Sequence, residues 1–114
     1  MFSSDLLRRV RNELPMWAVI AALDRDGPPS KVRDGRFVFL CPSCGEMLVA
    51  VNPRNNLAHC FGCGRNLNNI DLLLSCAYDF RSAVAQLEAW LEQYRSERSR
   101  RWATDPKEPP ASGV

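Results

Sequence analysis

Apolar residues come in short clusters along this chain, and the spacing within each cluster sets an element. Leu6, Leu7 and Val10 recur at helical steps, behind Ser3 or Ser4 as a cap. Asp5 falls in the first turn, where the helix dipole favours an anion. A helix over residues 3–12 follows, with Arg8, Arg9 and Arg11 largely on its solvated side. Met16, Trp17, Val19, Ile20 and Leu23 are too many apolar residues for one exposed side. They predict a second, mostly buried helix over residues 15–23, with Asn12 as a candidate cap and Pro15 tolerated in its first turn. Residues 24–30, rich in Asp, Gly and Pro, form a loop.

The middle of the chain changes period. Residues 31–40 end in Arg36-Phe37-Val38-Phe39-Leu40, a β-rich run read as one strand. Phe37 and Phe39 alternate with Val38 and Leu40, so they share one face, either an open platform or the core side. Residues 47–51 predict a second strand, and Asn52-Pro53-Arg54-Asn55-Asn56 a turn. Residues 57–59 predict a third. Helical spacing then returns. Asn68 or Asn69 can cap a helix carrying Ile70, Leu72, Leu73 and Leu74. Tyr78-Asp79 interrupts it, and Asp79 caps a long amphipathic helix from Phe80 to Arg101. Its apolar stripe is Ala83, Val84, Leu87, Trp90, Leu91 and Tyr94, and residues 95–102 are its basic end. Residues 103–114 have three prolines and no periodicity, so disorder is expected there.

Composition narrows the class. The chain has 114 residues, 46% hydrophobic and 25% charged, as in one soluble domain. A net charge of +2 does not by itself indicate nucleic acid; the placement of the charges matters more. The longest apolar run in a helical stretch, residues 16–23, is too short for a membrane span, and the charged N-terminus does not look like a signal peptide.

The strongest chemical signal lies between the strands. Four of the five cysteines form two C-x-x-C pairs, Cys41/Cys44 and Cys60/Cys63, with fifteen residues between the pairs. A C-x-x-C turn points two thiolates at one ion, and two such turns complete a tetrahedral set. Gly45 and Gly64 follow the pairs, and Pro42 and Gly62 sit inside them. Such turns need unusual φ values and can aim backbone N–H groups at sulfur. The pattern predicts one closed structural zinc ion, because a redox pair or disulfides would fit a different context. Reduced thiols as ligands fit a cytoplasmic setting. Cys76 reads as a small core residue. The expected fold is a small zinc-stabilised α+β domain: a three-stranded antiparallel zinc ribbon flanked by N-terminal and C-terminal helices.

The run His59-Cys60-Phe61-Gly62-Cys63-Gly64, followed by Ile70-Asp71 and three apolar residues, resembles the N-terminal zinc-binding domain of bacterial DnaG-type primases. The resemblance runs from about Ser4 to Leu91, which implies a primase-type zinc-binding domain over residues 1–94, and Cys41, Cys60 and Cys63 match its cysteine ligands. Cys44 stands where that family usually has His, and a thiolate serves zinc equally well. The residue before the third ligand, here His59, is not a ligand in the family. Gly45 to Val51 replaces the family's Thr-Pro-Ser-Phe segment, and Leu67 replaces a common Gly.

The resemblance implies a module that binds single-stranded DNA in replication or primer initiation. It would work with a separate primase catalytic protein or a helicase, and would have no polymerase activity of its own. Asp24-Arg25-Asp26 lies in a loop and is not read as a polymerase site. Lys31, Arg33, Arg36, Arg54 and Arg65 are the candidate nucleic-acid contacts, since single strands need cations along a groove and flat side chains for stacking. Arg54 and Arg65 have a second reading, as charges that offset the thiolates. The alternative function is a protein-docking zinc module that recruits a primase or helicase.

Overall fold

A computed structural model describes residues 2–104, with side chains over 2–99. Among them are four α-helices, α1 (Ser4–Asn12), α2 (Met16–Leu23), α3 (Asn69–Ser75) and α4 (Phe80–Thr104). Five strands, β1 (Ser30–Arg33), β2 (Arg36–Phe39), β3 (Val49–Asn52), β4 (Leu57–Cys60) and β5 (Asn66–Leu67), pair antiparallel in chain order. The class is α+β, as expected, but the sheet has five strands where three were predicted.

The physical reason lies in two short turns. Residues 31–40 do not form one strand. Asp34 and Gly35 both take positive φ, 53° and 77°, and fold the segment into a two-residue hairpin with Arg33 opposite Arg36. Asp-Gly is the favoured pair for that turn because its backbone twist matches the strands it joins. Beyond the second C-x-x-C turn, Leu67 meets Ala58 and adds the short fifth strand.

The helical ends follow local chemistry. The Ser3 side chain accepts from the Leu6 N–H at 3.0 Å and caps α1. Asn68, not Asn69, caps α3 in a reciprocal box: its side chain accepts from the Asp71 N–H, and Asp71 accepts from the Asn68 N–H. Asp79 accepts from the Ser82 N–H at 2.7 Å at the start of α4. Asn12 ends α1 and does not cap α2, which starts after Pro15. Helix α4 runs through Thr104, past the expected start of the tail; residues 105–114 of that expected tail lie outside the described residues.

One core joins both halves. Val10, Met16, Val19 and Leu23 from the N-terminal helices, with Leu14 from the link between them, pack with Leu72, Leu73, Val84, Leu87 and Leu91. The sheet presents Phe39, Val49, Ala58 and Leu67 to the same core. Directly paired residues share a face, so Phe37 and Phe39 lie on the core side. Phe39 is fully buried and Phe37 half-buried. The opposite face carries Lys31, Arg33, Arg36, Val38, Ala50 and His59. Among the described residues, no helix is long and apolar enough to cross a membrane.

Candidate metal centre

The two C-x-x-C turns are built alike. In the first, the Cys41 N–H donates to the Glu46 carbonyl at 2.9 Å and the Gly45 N–H to the Cys41 carbonyl at 3.0 Å. In the second, the Cys60 N–H donates to the Arg65 carbonyl and the Gly64 N–H to the Cys60 carbonyl, both at 2.8 Å. Each turn closes through a glycine in the left-handed region, Gly45 at φ 75° and Gly64 at φ 82°, which a side chain there would strain. Gly62 answers a different need. A Cβ at that position would stand 3.2 Å from Leu48 Cδ1 and 3.4 Å from Cys44 Sγ, crowding the cluster.

The turns meet at the end of the sheet and bring Cys41, Cys44, Cys60 and Cys63 together, with their sulfurs all within 4.8 Å of one another. Cys41 Sγ is 3.8 Å from Cys63 Sγ, and Cys44 Sγ is 3.6 Å from Cys60 Sγ. Sulfurs about 2.3 Å from a central zinc would be about 3.8 Å apart in a tetrahedron, so the spacing fits the predicted ion. The four cysteines that the sequence paired as candidate ligands lie in one cluster that could hold a metal ion.

Backbone donors support the sulfurs in a repeated pattern. Cys41 Sγ accepts from the Ser43 and Cys44 N–H groups at 3.3 and 3.4 Å. Cys60 Sγ accepts from the Gly62 and Cys63 N–H groups at the same two distances. The first cysteine of each pair is buried and the second exposed. Burial pushes the Cys41 thiol up, but the Cys44 and Ser43 N–H groups outweigh it and hold it at about 6. The Glu46 N–H favours a thiolate at Cys44, yet lost hydration and the neighbouring Cys60 and Cys41 sulfurs push it up to about 12. Cys63 is raised in the same way, against the pull of the Arg65 N–H. Four sulfurs this close resist becoming thiolates together, and a bound cation would offset that cost. The four could hold a metal ion together.

Cys76 stands apart from this group, half-buried against the core. Burial raises its thiol, and the charge of Asp26 adds to that.

His59 lies outside the cysteine cluster. Its Nδ1–H donates to Asn66 Oδ1 at 2.8 Å, and its ring meets Phe61 edge to face with centroids 4.8 Å apart. Phe61 is 67% exposed, an unusual state for the only aromatic ring inside a C-x-x-C turn. Charge and hydrophobic spacing did not mark this pair; the two-residue step from His59 on β4 to Phe61 just past its end is the signal that would have.

The candidate basic residues divide. Lys31, Arg33 and Arg36 share the open face of the β1–β2 hairpin. Strands β2 and β3 pair only at Val38↔Ala50 and Phe39↔Val49, so the two hairpins part beyond Phe37 and Val51. The resulting cleft, about 1080 Å³, is lined by Arg36, Phe37, Arg54, His59 and Phe61, with Trp17 from α2. Arg65 lies elsewhere: its guanidinium donates to Ser43 Oγ, tying the second turn to the first.

No protein-family model matches the chain, and no curated protein matches it.

Proposed function

We propose that the chain is a zinc-ribbon module of primase type that binds single-stranded DNA during replication or primer initiation. One zinc ion on Cys41, Cys44, Cys60 and Cys63 holds the two turns in register, and four thiolate donors with no open position suit a structural role. The observation that carries the DNA reading is the cleft between the hairpins. Arg36 and Arg54 line it, and so do the rings of Phe37, His59 and Phe61. A single strand is held by that combination, cations on its phosphates and aromatic faces under its bases. Lys31 and Arg33 extend the cationic surface along β1. The polymerase would be a separate protein, a primase catalytic chain or one that recruits it, such as a helicase.

Titration of the zinc-loaded chain with labelled oligothymidine at several salt concentrations tests this reading. Each phosphate contact contributes about 0.7 to the slope of log affinity against log salt. Replacing Arg36 and Arg54 with Ala is expected to flatten the slope by about 1.4. Binding that ignores salt, or no binding at low salt, overturns it. Incubation with template, nucleotides and magnesium is expected to yield no primer.

A further inference from the structure

The outer edge of β1 is open. In a two-residue hairpin the residues flanking the turn exchange hydrogen bonds, so Arg33 pairs inward with Arg36 and the bonding alternates from there. The Leu40 N–H donating to the Pro29 carbonyl at 2.9 Å keeps that phase. Ser30 and Val32 therefore turn their N–H and C=O groups away from the sheet. Natural edges are usually short, covered or broken by proline. This one has no covering strand or helix among the described residues, and Val32 is 71% exposed.

The two faces beside that edge differ in chemistry. On the core side lies a groove of about 700 Å³ between α2 and the hairpin, lined by Trp17, Ile20, Pro28, Val32 and Phe37, and also by Asp24. On the other side stand Lys31 and Arg33, both exposed and in no ion pair among the described residues. A strand laid along β1 would alternate its side chains between these faces. Its residues over the groove must be apolar, and Asp24 repels an acid there. Its residues on the other face meet two cations.

We propose that β1 accepts an extended peptide of alternating acidic and apolar residues from a partner protein as a sixth strand of the sheet. A second copy of this chain does not fit, because β1 against β1 sets Lys31 and Arg33 beside each other, and like charges directly opposite destabilise a pair. Residues 105–114 do not fit either, since Pro106, Pro109 and Pro110 break both the hydrogen-bonding ladder and the alternation. Main-chain bonds supply affinity in this mode and the alternating side chains supply choice. The β1 edge lies apart from Arg36 and Arg54 of the DNA cleft, although Trp17, Gly35 and Phe37 line both the groove and the cleft.

The test uses the full zinc-loaded chain and a soluble, labelled peptide whose centre reads Glu-Val-Asp-Val-Glu. A control has the same residues as Val-Val-Asp-Glu-Glu. The alternating peptide is expected to bind at least about tenfold tighter than the control, a difference of about 1.4 kcal/mol. The largest amide shifts in NMR should fall at Ser30 and Val32. Val32→Pro removes one outward N–H and no charge, and is expected to abolish peptide binding while leaving zinc content and oligothymidine binding unchanged. Reversing charge with Lys31→Glu and Arg33→Glu should transfer preference to a Lys-Val-Lys-Val-Lys peptide, and this holds the test if Val32→Pro fails to fold. Equal binding of the alternating and block peptides, shifts confined to the cleft, or no binding at millimolar peptide overturns the proposal. Failure of oligothymidine binding alone leaves it standing and removes only the DNA reading.

Discussion

Asn56 and Asn69, thirteen positions apart on either side of the second C-x-x-C turn, donate to the same carbonyl oxygen, that of Leu14, at 2.7 and 2.8 Å. Asn56 also donates to the Arg11 carbonyl and accepts from the Met16 N–H at 2.9 Å. Asn69 also donates to the Val10 carbonyl at 2.8 Å. The end of α1 and the start of α2 thus take their missing backbone partners from the sheet turn and from α3. Helix ends leave such groups unpaired, and burying them unpaired costs about 1–3 kcal/mol each. Asn56 has φ 57°, a region Asn tolerates better than Ala.

Asn56→Ala is expected to lower stability by about 2–4 kcal/mol, since three bonds end and the backbone strains. In either single variant Leu14 keeps one donor; in the double variant it keeps none. The double loss should therefore exceed the sum of the singles by about 0.5–3 kcal/mol. Urea unfolding of the zinc-loaded proteins measures this, and additive losses would contradict a shared acceptor.

Metal removal should unfold the cysteine end of the sheet. Structural zinc in small domains contributes on the order of 10–16 kcal/mol of apparent binding energy near neutral pH. A whole domain has only about 5–15 kcal/mol of stability. Cys60→Ser should lose stoichiometric metal and amide dispersion, while Cys76→Ala keeps both, because Cys76 stands outside the cluster. Metal analysis paired with NMR decides it; one equivalent of zinc on a native-like Cys60→Ser protein would contradict this ligand set.

Metal affinity should fall as pH falls. The metal-free cluster raises the Cys44 and Cys63 thiols above their usual value, so both hold protons at neutral pH. Metal binding must expel those protons, and acid opposes it. Those two protons alone correspond to about a hundredfold loss of affinity per pH unit below neutrality, and the loss steepens as pH falls through about 6, where the Cys41 thiol also takes up a proton. Competition with a chelator across that range gives the slope. A pH-independent affinity would show that Cys44 and Cys63 are not both ligands.

The cysteine cluster was legible in sequence because two C-x-x-C turns at this separation can aim four sulfurs at one point. Helices α1, α3 and α4 were legible through their apolar steps and caps. The β1–β2 hairpin was missed although Asp34-Gly35 is a strong local turn signal, because the β-rich run after it drew the whole segment into one strand. Asn69 looked like a cap until the fold placed it under Leu14, and Asn56 like an ordinary turn residue. Both roles depend on contacts more than forty positions away, which no local pattern carries. The placement of Arg36 and Arg54 on one cleft likewise depends on how far β2 and β3 stay paired.

Arg65 should separate from Arg36 and Arg54 in experiment. Sequence grouped the three as nucleic-acid contacts, but the Arg65 guanidinium is engaged with Ser43 Oγ across the metal centre, whereas the other two line the cleft. Four thiolates on one divalent ion leave a net charge of −2, and a nearby guanidinium offsets part of it. Arg65→Ala should therefore weaken zinc binding and leave the salt slope for oligothymidine unchanged. Arg36→Ala with Arg54→Ala should do the reverse, flattening the slope with zinc affinity intact, since exposed substitutions away from special contacts shift stability within about 0.5 kcal/mol. Arg65→Lys keeps the charge but loses the fork that reaches Ser43, so it reports whether charge or geometry matters. Recovery of zinc affinity in Arg65→Lys assigns the effect to charge; no recovery assigns it to the bridge between the two turns. A salt slope that drops in Arg65→Ala as much as in the cleft variant would return Arg65 to the DNA surface.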